Sequence, residues 1–291
     1  MSNLFSCFMA VLLMLGGGTF VRAQVAAQDT PAQCSTRLVP YSEWGKVRTP
    51  VFSLDLVTRK GGRLYYFGAE HSSDPADPQF AEIEKSWNAV KPDVAFYEGP
   101  NRPIAATRDE TIKQAGESGF LRFLAARDGV PAVSLEPSPH DEVKFVSTKF
   151  SPEQVALFFL LREASRLRER RKMSGPEVRD AITQLLARVA QANLFENPIT
   201  NLDELDAAYK RYWKNPPEWW QAPSAWFDPL KSSAETGGVF TNEINQMSSG
   251  YRDLHMYNVL SAAALGGKKV FAVVGRNHIS MQAEALRCAL K

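Results

Sequence analysis

Three cysteines in 291 residues are too few for a disulfide scaffold or a four-thiolate zinc centre. Neither charge is in excess: 34 Lys and Arg stand against 32 Asp and Glu, a net charge of +2. That balance argues against a dedicated nucleic-acid binder, which carries a basic stripe or a strong basic surplus. No long apolar run exists beyond residues 4–15, so no later membrane span is expected. There is no tandem repeat, no Gly-x-Ser-x-Gly elbow, no P-loop, no Gly-x-Gly-x-x-Gly after a strand and no His-Glu-x-x-His. Hydride transfer, nucleotide hydrolysis and the standard serine-esterase design therefore lose support. What is present, 44% hydrophobic and 23% charged residues, is ordinary for a globular domain and excludes a disordered or fibrous chain.

Residues 1–23 read as a secretory signal. The apolar run 4–15 is broken by Gly16, Gly17 and Gly18, and Val21-Arg22-Ala23 offers small residues for cleavage after Ala23. No Lys or Arg precedes the run, so the amino terminus supplies the only positive charge there. The run is shorter than the roughly 20 residues that span a bilayer. The expectation is export to the periplasm or medium with no stable membrane anchor after cleavage. Cys34 and Cys288 remain, near opposite ends of the mature chain. In an oxidising compartment they form one bridge closing nearly the whole chain, or they stay as two buried thiols.

Residues 24–46 are polar and rich in Ala, Gln and Pro, and read as a flexible arm; residues 47–291 read as one α/β domain. Residues 51–57 alternate like a strand, Gly61-Gly62 marks a hairpin, and residues 64–67 form a short apolar strand. Residues 80–90 pattern as a helix, with Ile83, Trp87 and Val90 on one face. Residues 94–97 and 130–135 read as further buried strands, with a short helix over 119–127 between them. Residues 151–235 differ: a capping box at Ser151-Pro152-Glu153-Gln154 and similar starts at Ser174 and Asn201 predict a helical insertion. Its stretch 212–227 holds four tryptophans, which could bind sugars or peptides but more often form core or lid packing. A helix over 241–265, stopped by Gly266-Gly267, leads to the apolar strand 270–274. Strands alternating with helices predict a central, mainly parallel sheet flanked by helices, with the insertion covering the carboxyl ends of the strands.

A short motif occurs twice at strand ends. Gly68-Ala69-Glu70-His71 follows one strand, and Gly275-Arg276-Asn277-His278 follows another. In open parallel sheets, functional groups gather beyond the carboxyl ends of strands. Two more strands end in Glu98 and Glu136. Four strand ends thus offer His71, Glu98, Glu136 and His278. Two imidazoles and two carboxylates suit a divalent cation such as zinc, manganese or cobalt. They equally suit a metal-free acid/base cluster. Any one of them alone is as compatible with a hydrogen-bonded loop residue. Arg252, on the long helix with His255 and Met256, could bind an anion or orient a carboxylate. Glu70 could act as base on a metal-bound water. His140 and Asp141 could replace a ligand, Asp74 and Asp77 crowd His71, and the basic run 166–172 suits a solvated helix end.

In order along the chain, Phe67-Gly68-Ala69-Glu70-His71, Phe96-Tyr97-Glu98, Gly129 to Glu136, Arg252-Asp253-Leu254-His255-Met256 and Val274-Gly275-Arg276-Asn277-His278 resemble the TraB/PrgY/GumN/TIKI group. The resemblance covers about residues 50–140 and 240–290. It implies an α/β fold shared with haem-binding ChaN and erythromycin-esterase types. The TIKI branch is described as metal-dependent proteases using the paired Gly-x-x-His motifs and the glutamates. Ala69 stands where many members carry Thr or Ser, and Arg276-Asn277 where small residues are usual. An arginine there opposes a cation and favours an anionic substrate. The expectation is an exported metal-dependent, peptidase-like hydrolase acting on a peptide or small molecule. His71, His278, Glu98 and Glu136 would hold the metal, with Glu70, Glu98, Glu136 and Arg252 in catalytic roles. The alternatives are a non-enzymatic haem-, metal- or peptide-binding protein and a metal-free esterase-like hydrolase.

Overall fold

A computed structural model describes residues 29–47, 50–192 and 198–291. The expected signal at 1–23 and the start of the arm lie outside the described residues. After a single turn, α1 (Pro31–Cys34), come β1 (Ser53–Val57) and β2 (Arg63–Ala69), a hairpin turned at Gly61, whose φ is 83°. Then follow α2 (Pro78–Val90), β3 (Val94–Tyr97), α3 (Arg108–Asp128), β4 (Ala132–Ser134) and α4 (Pro139–Val146). The insertion supplies α5 (Pro152–Arg171), α6 (Gly175–Ala192), α7 (Leu202–Tyr212) and the short α8 (Ser233–Thr236). The chain returns through α9 (Thr241–Leu265), β5 (Lys269–Gly275) and α10 (Arg276–Leu290).

The sheet order is β1-β2-β5-β3-β4, antiparallel at β1–β2 and parallel elsewhere. The fold is therefore α/β, with a mainly parallel sheet between helices. The last strand in sequence enters between β2 and β3, and its neighbours' carboxyl ends converge around it. Side chains alternate across β5 with period two. Val270, Ala272 and Val274 pack with α9 and α10, whereas Phe271 and Val273 pack with α2 and α3. All five are fully buried, which is why this strand reads as an unbroken apolar run. The valines and Phe271 among them contribute about 1.5–3 kcal/mol each when removed from water. Among the described residues no helix is long and apolar enough to cross a membrane.

The insertion has its own core. Trp219 is fully buried, and Trp213 stacks on Trp226 with ring centroids 5.0 Å apart. Trp220 packs at the edge of the same cluster, so the tryptophans fill a core.

Three expectations change. The described part of the arm, residues 29–46, carries short helical turns and is anchored at two points, though most of its residues are exposed: the Cys34–Cys288 disulfide fixes α1 to α10, and Tyr41 is buried. β4 lies at the edge of the sheet, and its Val133 is 46% exposed rather than buried. The helix expected over 119–127 begins at Arg108 and is broken at Gly116 (φ 55°). A Cβ at Gly116 would lie 2.9 Å from the Ser72 carbonyl oxygen, so only glycine lets α3 approach the loop after β2 this closely.

Candidate functional site

The two Gly-x-x-His segments meet because β2 and β5 are parallel neighbours, with Ala69 paired to Gly275. Gly68 makes the approach possible: a Cβ there would lie 2.7 Å from the Arg276 Cα and 2.8 Å from the Phe52 carbonyl oxygen. Around Gly275 the candidates gather. A Cβ at that position would sit 3.3 Å from Glu98 Oε2, 3.8 Å from His278 Cδ2 and 3.9 Å from His71 Cε1.

Glu98, at the end of β3, is the hub. Its Oε2 accepts the Gly275 N–H at 2.7 Å, at the amino-terminal end of α10, where the helix dipole favours a negative charge. Its Oε1 lies 3.0 Å from Arg252 Nη2 and 3.5 Å from His278 Nε2. Burial alone raises the Glu98 carboxyl, but His278, Arg252 and the Gly275 N–H outweigh it and hold it far below the usual range. Glu136, after β4, takes Arg252 in a fork, Nε to Oε2 at 3.0 Å and Nη2 to Oε1 at 2.7 Å. Its Oε1 also accepts the Gly99 N–H. Burial opposes the Arg252 charge, and the two glutamates more than restore it. Arg252, expected to orient a carboxylate or bind an anion, thus ties both carboxylates together.

The imidazoles differ in state. His278 is buried; its Nδ1 donates to Asp253 Oδ1 at 2.7 Å and its Nε2 faces Glu98. Burial pushes its pKa down, yet Asp253 and Glu98 carry it up to about 10. At neutral pH it is a fixed cation rather than a base. The Tyr41 hydroxyl lies 3.3 Å from the same Nδ1. His71 is exposed to the hollow and donates its Nδ1–H to Glu117 Oε1 at 2.7 Å. That bond raises its pKa, and burial offsets part of the rise. Its Nε2 has no protein partner among the described residues. His71, His278, Glu98 and Tyr41 line one hollow of about 420 Å³.

His71, Glu98, Glu136, Arg252 and His278 are therefore brought together, but not as a cation cage. Among the described residues no three of the four expected metal ligands place their donor atoms within 4.8 Å of one another. The space between Glu98 and Glu136 is taken by the Arg252 guanidinium, and His71 turns to Glu117. This donor set, as arranged, does not fit a divalent ion. Glu70 is not a base over the site: it is exposed at the rim and paired with Arg276. His140 and Asp141 pair with each other on exposed α4, and Asp77 caps α2. His255 lies outside the cluster, and Met256 is core. The basic run on α5 is only partly a solvated helix end. Arg168 donates to the carbonyls of Trp220 and Ala222, and Arg170 lines the hollow beside His71, Glu98 and Glu136.

Sequence reading gave no place in the site to Tyr41, Glu117, Asp253, Arg162 and Arg170. Asp253 adjoins Arg252, and the residues 162, 166 and 170 repeat every fourth position on one helix stripe. Those two signals were legible in the chain. Tyr41 and Glu117 carry no local signal, since burial and the Gly116 break place them. No family model, curated protein or solved structure matches this chain.

Proposed function

We propose that the protein is an exported hydrolase that cleaves an ester or amide by metal-free general acid–base catalysis, with His71 as base. The observation that carries this reading is the His71–Glu117 pair, whose Nδ1 is held at 2.7 Å while Nε2 opens on the hollow. An imidazole so oriented accepts a proton from a water at Nε2, and the carboxylate stabilises the imidazolium that forms. The hydroxide attacks the carbonyl carbon of a substrate lying over Gly275. The same imidazolium then returns its proton to the leaving oxygen or nitrogen. Charge developing on the carbonyl oxygen is opposed by the His278 cation, fixed before the substrate arrives. Glu98, itself tied to Glu136 through Arg252, holds that cation in place, and both glutamates are positioning residues. The Cys34–Cys288 disulfide supports export, because such bridges persist in oxidising compartments.

A metal-dependent version of the reaction, as the TraB/PrgY/GumN/TIKI resemblance implies, would need Arg252 to leave its two carboxylates. The test is an ester and peptide panel run on the purified protein with and without a chelator. Turnover that survives the chelator and is lost in His71→Asn supports the proposal. Turnover abolished by chelation and restored by manganese, cobalt or zinc sinks the metal-free mechanism.

A further inference from the structure

The arginine stripe of α5 has no part in that mechanism, yet it faces it. A second hollow of about 380 Å³ is bounded by Tyr41 and Arg252 on the sheet side and by Arg162, Arg166 and Arg170 on the insertion side. Tyr41 also lines the hollow of His71 and His278, so the two spaces adjoin. The three insertion guanidiniums differ in what they hold. Arg166 is taken by Glu163 through a fork of 2.7 and 2.6 Å. Arg162 has no hydrogen bond or ion pair among the described residues and only rests over the Phe158 ring at 5.7 Å. Arg170 likewise has none. Arg252 spends Nε and Nη2 on the glutamates, and its Nη1 has no partner among the described residues. The nearby carboxylates are engaged elsewhere: Glu163 with Arg166, Glu169 with Arg168, and Glu142 with Ser248. Burial, and then the Arg252 charge, hold the Arg162 guanidinium below its ordinary value. Glu142 and Glu136 attract it from a distance without pairing to it, and burial and the Arg252 charge outweigh them.

We propose that this hollow binds an oxyanion group of the substrate, a carboxylate or a phosphate, between Arg162, Arg170 and the free edge of Arg252. Guanidinium forks suit both groups, and several of them converging on one hollow hold an anion more strongly than one alone. The inference rests on the hydrolase reading and names its substrate class. An anionic tail fixed here leaves the adjoining scissile bond beside His71.

The experiment is calorimetric titration of the full mature chain with succinate and, separately, inorganic phosphate at low ionic strength. The variants Arg162→Gln, Arg170→Gln and Arg171→Gln are titrated alongside. Arg171 is exposed on the same helix end, outside the hollow. The expected result is saturable binding of one anion per chain, weakened about tenfold or more by Arg162→Gln or Arg170→Gln and unchanged within about twofold by Arg171→Gln. Tighter binding of succinate names a carboxylate as the natural group, and tighter binding of phosphate names a phosphate. Unliganded Arg162→Gln is expected to melt at or above the wild-type temperature, since burial and the Arg252 charge disfavour that cation more than Glu142 and Glu136 favour it. No saturable binding of either probe, or equal weakening by Arg171→Gln, overturns the proposal. So does a lower melting temperature in Arg162→Gln together with unaltered binding in Arg170→Gln. Titration of His71→Asn separates the two readings. Anion binding kept there without turnover in any chain retains the site and removes the hydrolase. Turnover that depends on His71, without anion binding, retains the hydrolase and removes the site.

Discussion

Replacing Arg252 by Met is the sharpest test of how the centre is built. The guanidinium makes contacts of 3.0 and 2.7 Å to Glu136 and 3.0 Å to Glu98. Methionine fills much of the volume, so the cavity contribution is small and the loss is electrostatic. Two carboxylate oxygens that share one donor nitrogen lie no more than about 6 Å apart. At an effective dielectric of about 20, two such charges repel by ~3 kcal/mol. Removing one partner of a buried pair costs about 3–5 kcal/mol. With the Glu136 side chain 30% exposed, the lower end applies, and about 3 kcal/mol is expected at pH 8. The sign with pH follows from the carboxyls. In the wild type Glu98 is held below its unfolded value. Its contribution is present above the unfolded carboxylate range near pH 4.3 and is lost as pH falls through the folded value. In the variant the unshielded pair takes up a proton more readily folded than unfolded, so acidification from pH 8 towards 5 relieves it. Urea denaturation followed by circular dichroism at pH 8, 6 and 5 should show a gap that narrows on acidification. Glu136→Gln in the Arg252→Met background should recover much of the loss, whereas in the wild type it should destabilise. A gap under about 1 kcal/mol at pH 8, or one that widens towards pH 5, would refute the reasoning.

Glu117→Gln should lower the pH at which His71 titrates, read from its Cε1 proton by NMR. Because the base works unprotonated, the acid limb of any turnover profile should move to lower pH with it while the maximal rate falls. Replacing both Cys34 and Cys288 by Ser should cost about 2–5 kcal/mol in denaturant midpoint analysis, with no change when reductant is added to the variant. Gly68→Ala should destabilise by about 1–3 kcal/mol or more, since its Cβ meets backbone at 2.7 and 2.8 Å; an unchanged melting temperature would contradict that crowding. His278, bound as a cation, contributes stability that is complete below about pH 6.5 and lost as pH rises through about 10, so His278→Asn should flatten the alkaline limb of the stability curve.

The sheet was legible because β2, β3 and β5 are short, apolar and closed by Gly or Glu. A buried run and an edge run look alike over a few residues, which is how Val133 was read as core. The first half of α3 has only Ile112 as an apolar core residue among polar neighbours, so its period is invisible until the helix is seen packed. Residues 29–46 lack periodicity altogether. They are held by the Cys34–Cys288 bridge between segments 254 positions apart, and by Tyr41 reaching His278. The paired histidines, the two glutamates and Arg252 were all found as strand-end or helix-face features. What their spacing could not reveal was charge state: that Arg252 fills the place a cation would take, and that one histidine is fixed as an imidazolium while the other is open.

That difference follows from which element supplies each partner. Asp253, beside Arg252 on α9, reaches His278 from the covered side of the sheet and encloses it with Glu98. Glu117 reaches His71 from α3 on the opposite face, past a helix break that leaves the imidazole's far edge in the hollow. The same motif thus yields a permanent positive charge at one strand end and a titrating base at the next. Exchanging the two roles would require moving a helix rather than a side chain. The insertion adds Arg162 and Arg170 to this arrangement, and its nearby Glu163 and Glu169 are paired with Arg166 and Arg168. On the sheet side Glu98, Glu136, Asp253 and Glu117 stand against Arg252 and His278, and each of these carboxylates already accepts a hydrogen bond from another donor. An anion held between Arg162 and Arg170, as proposed, would displace none of those contacts.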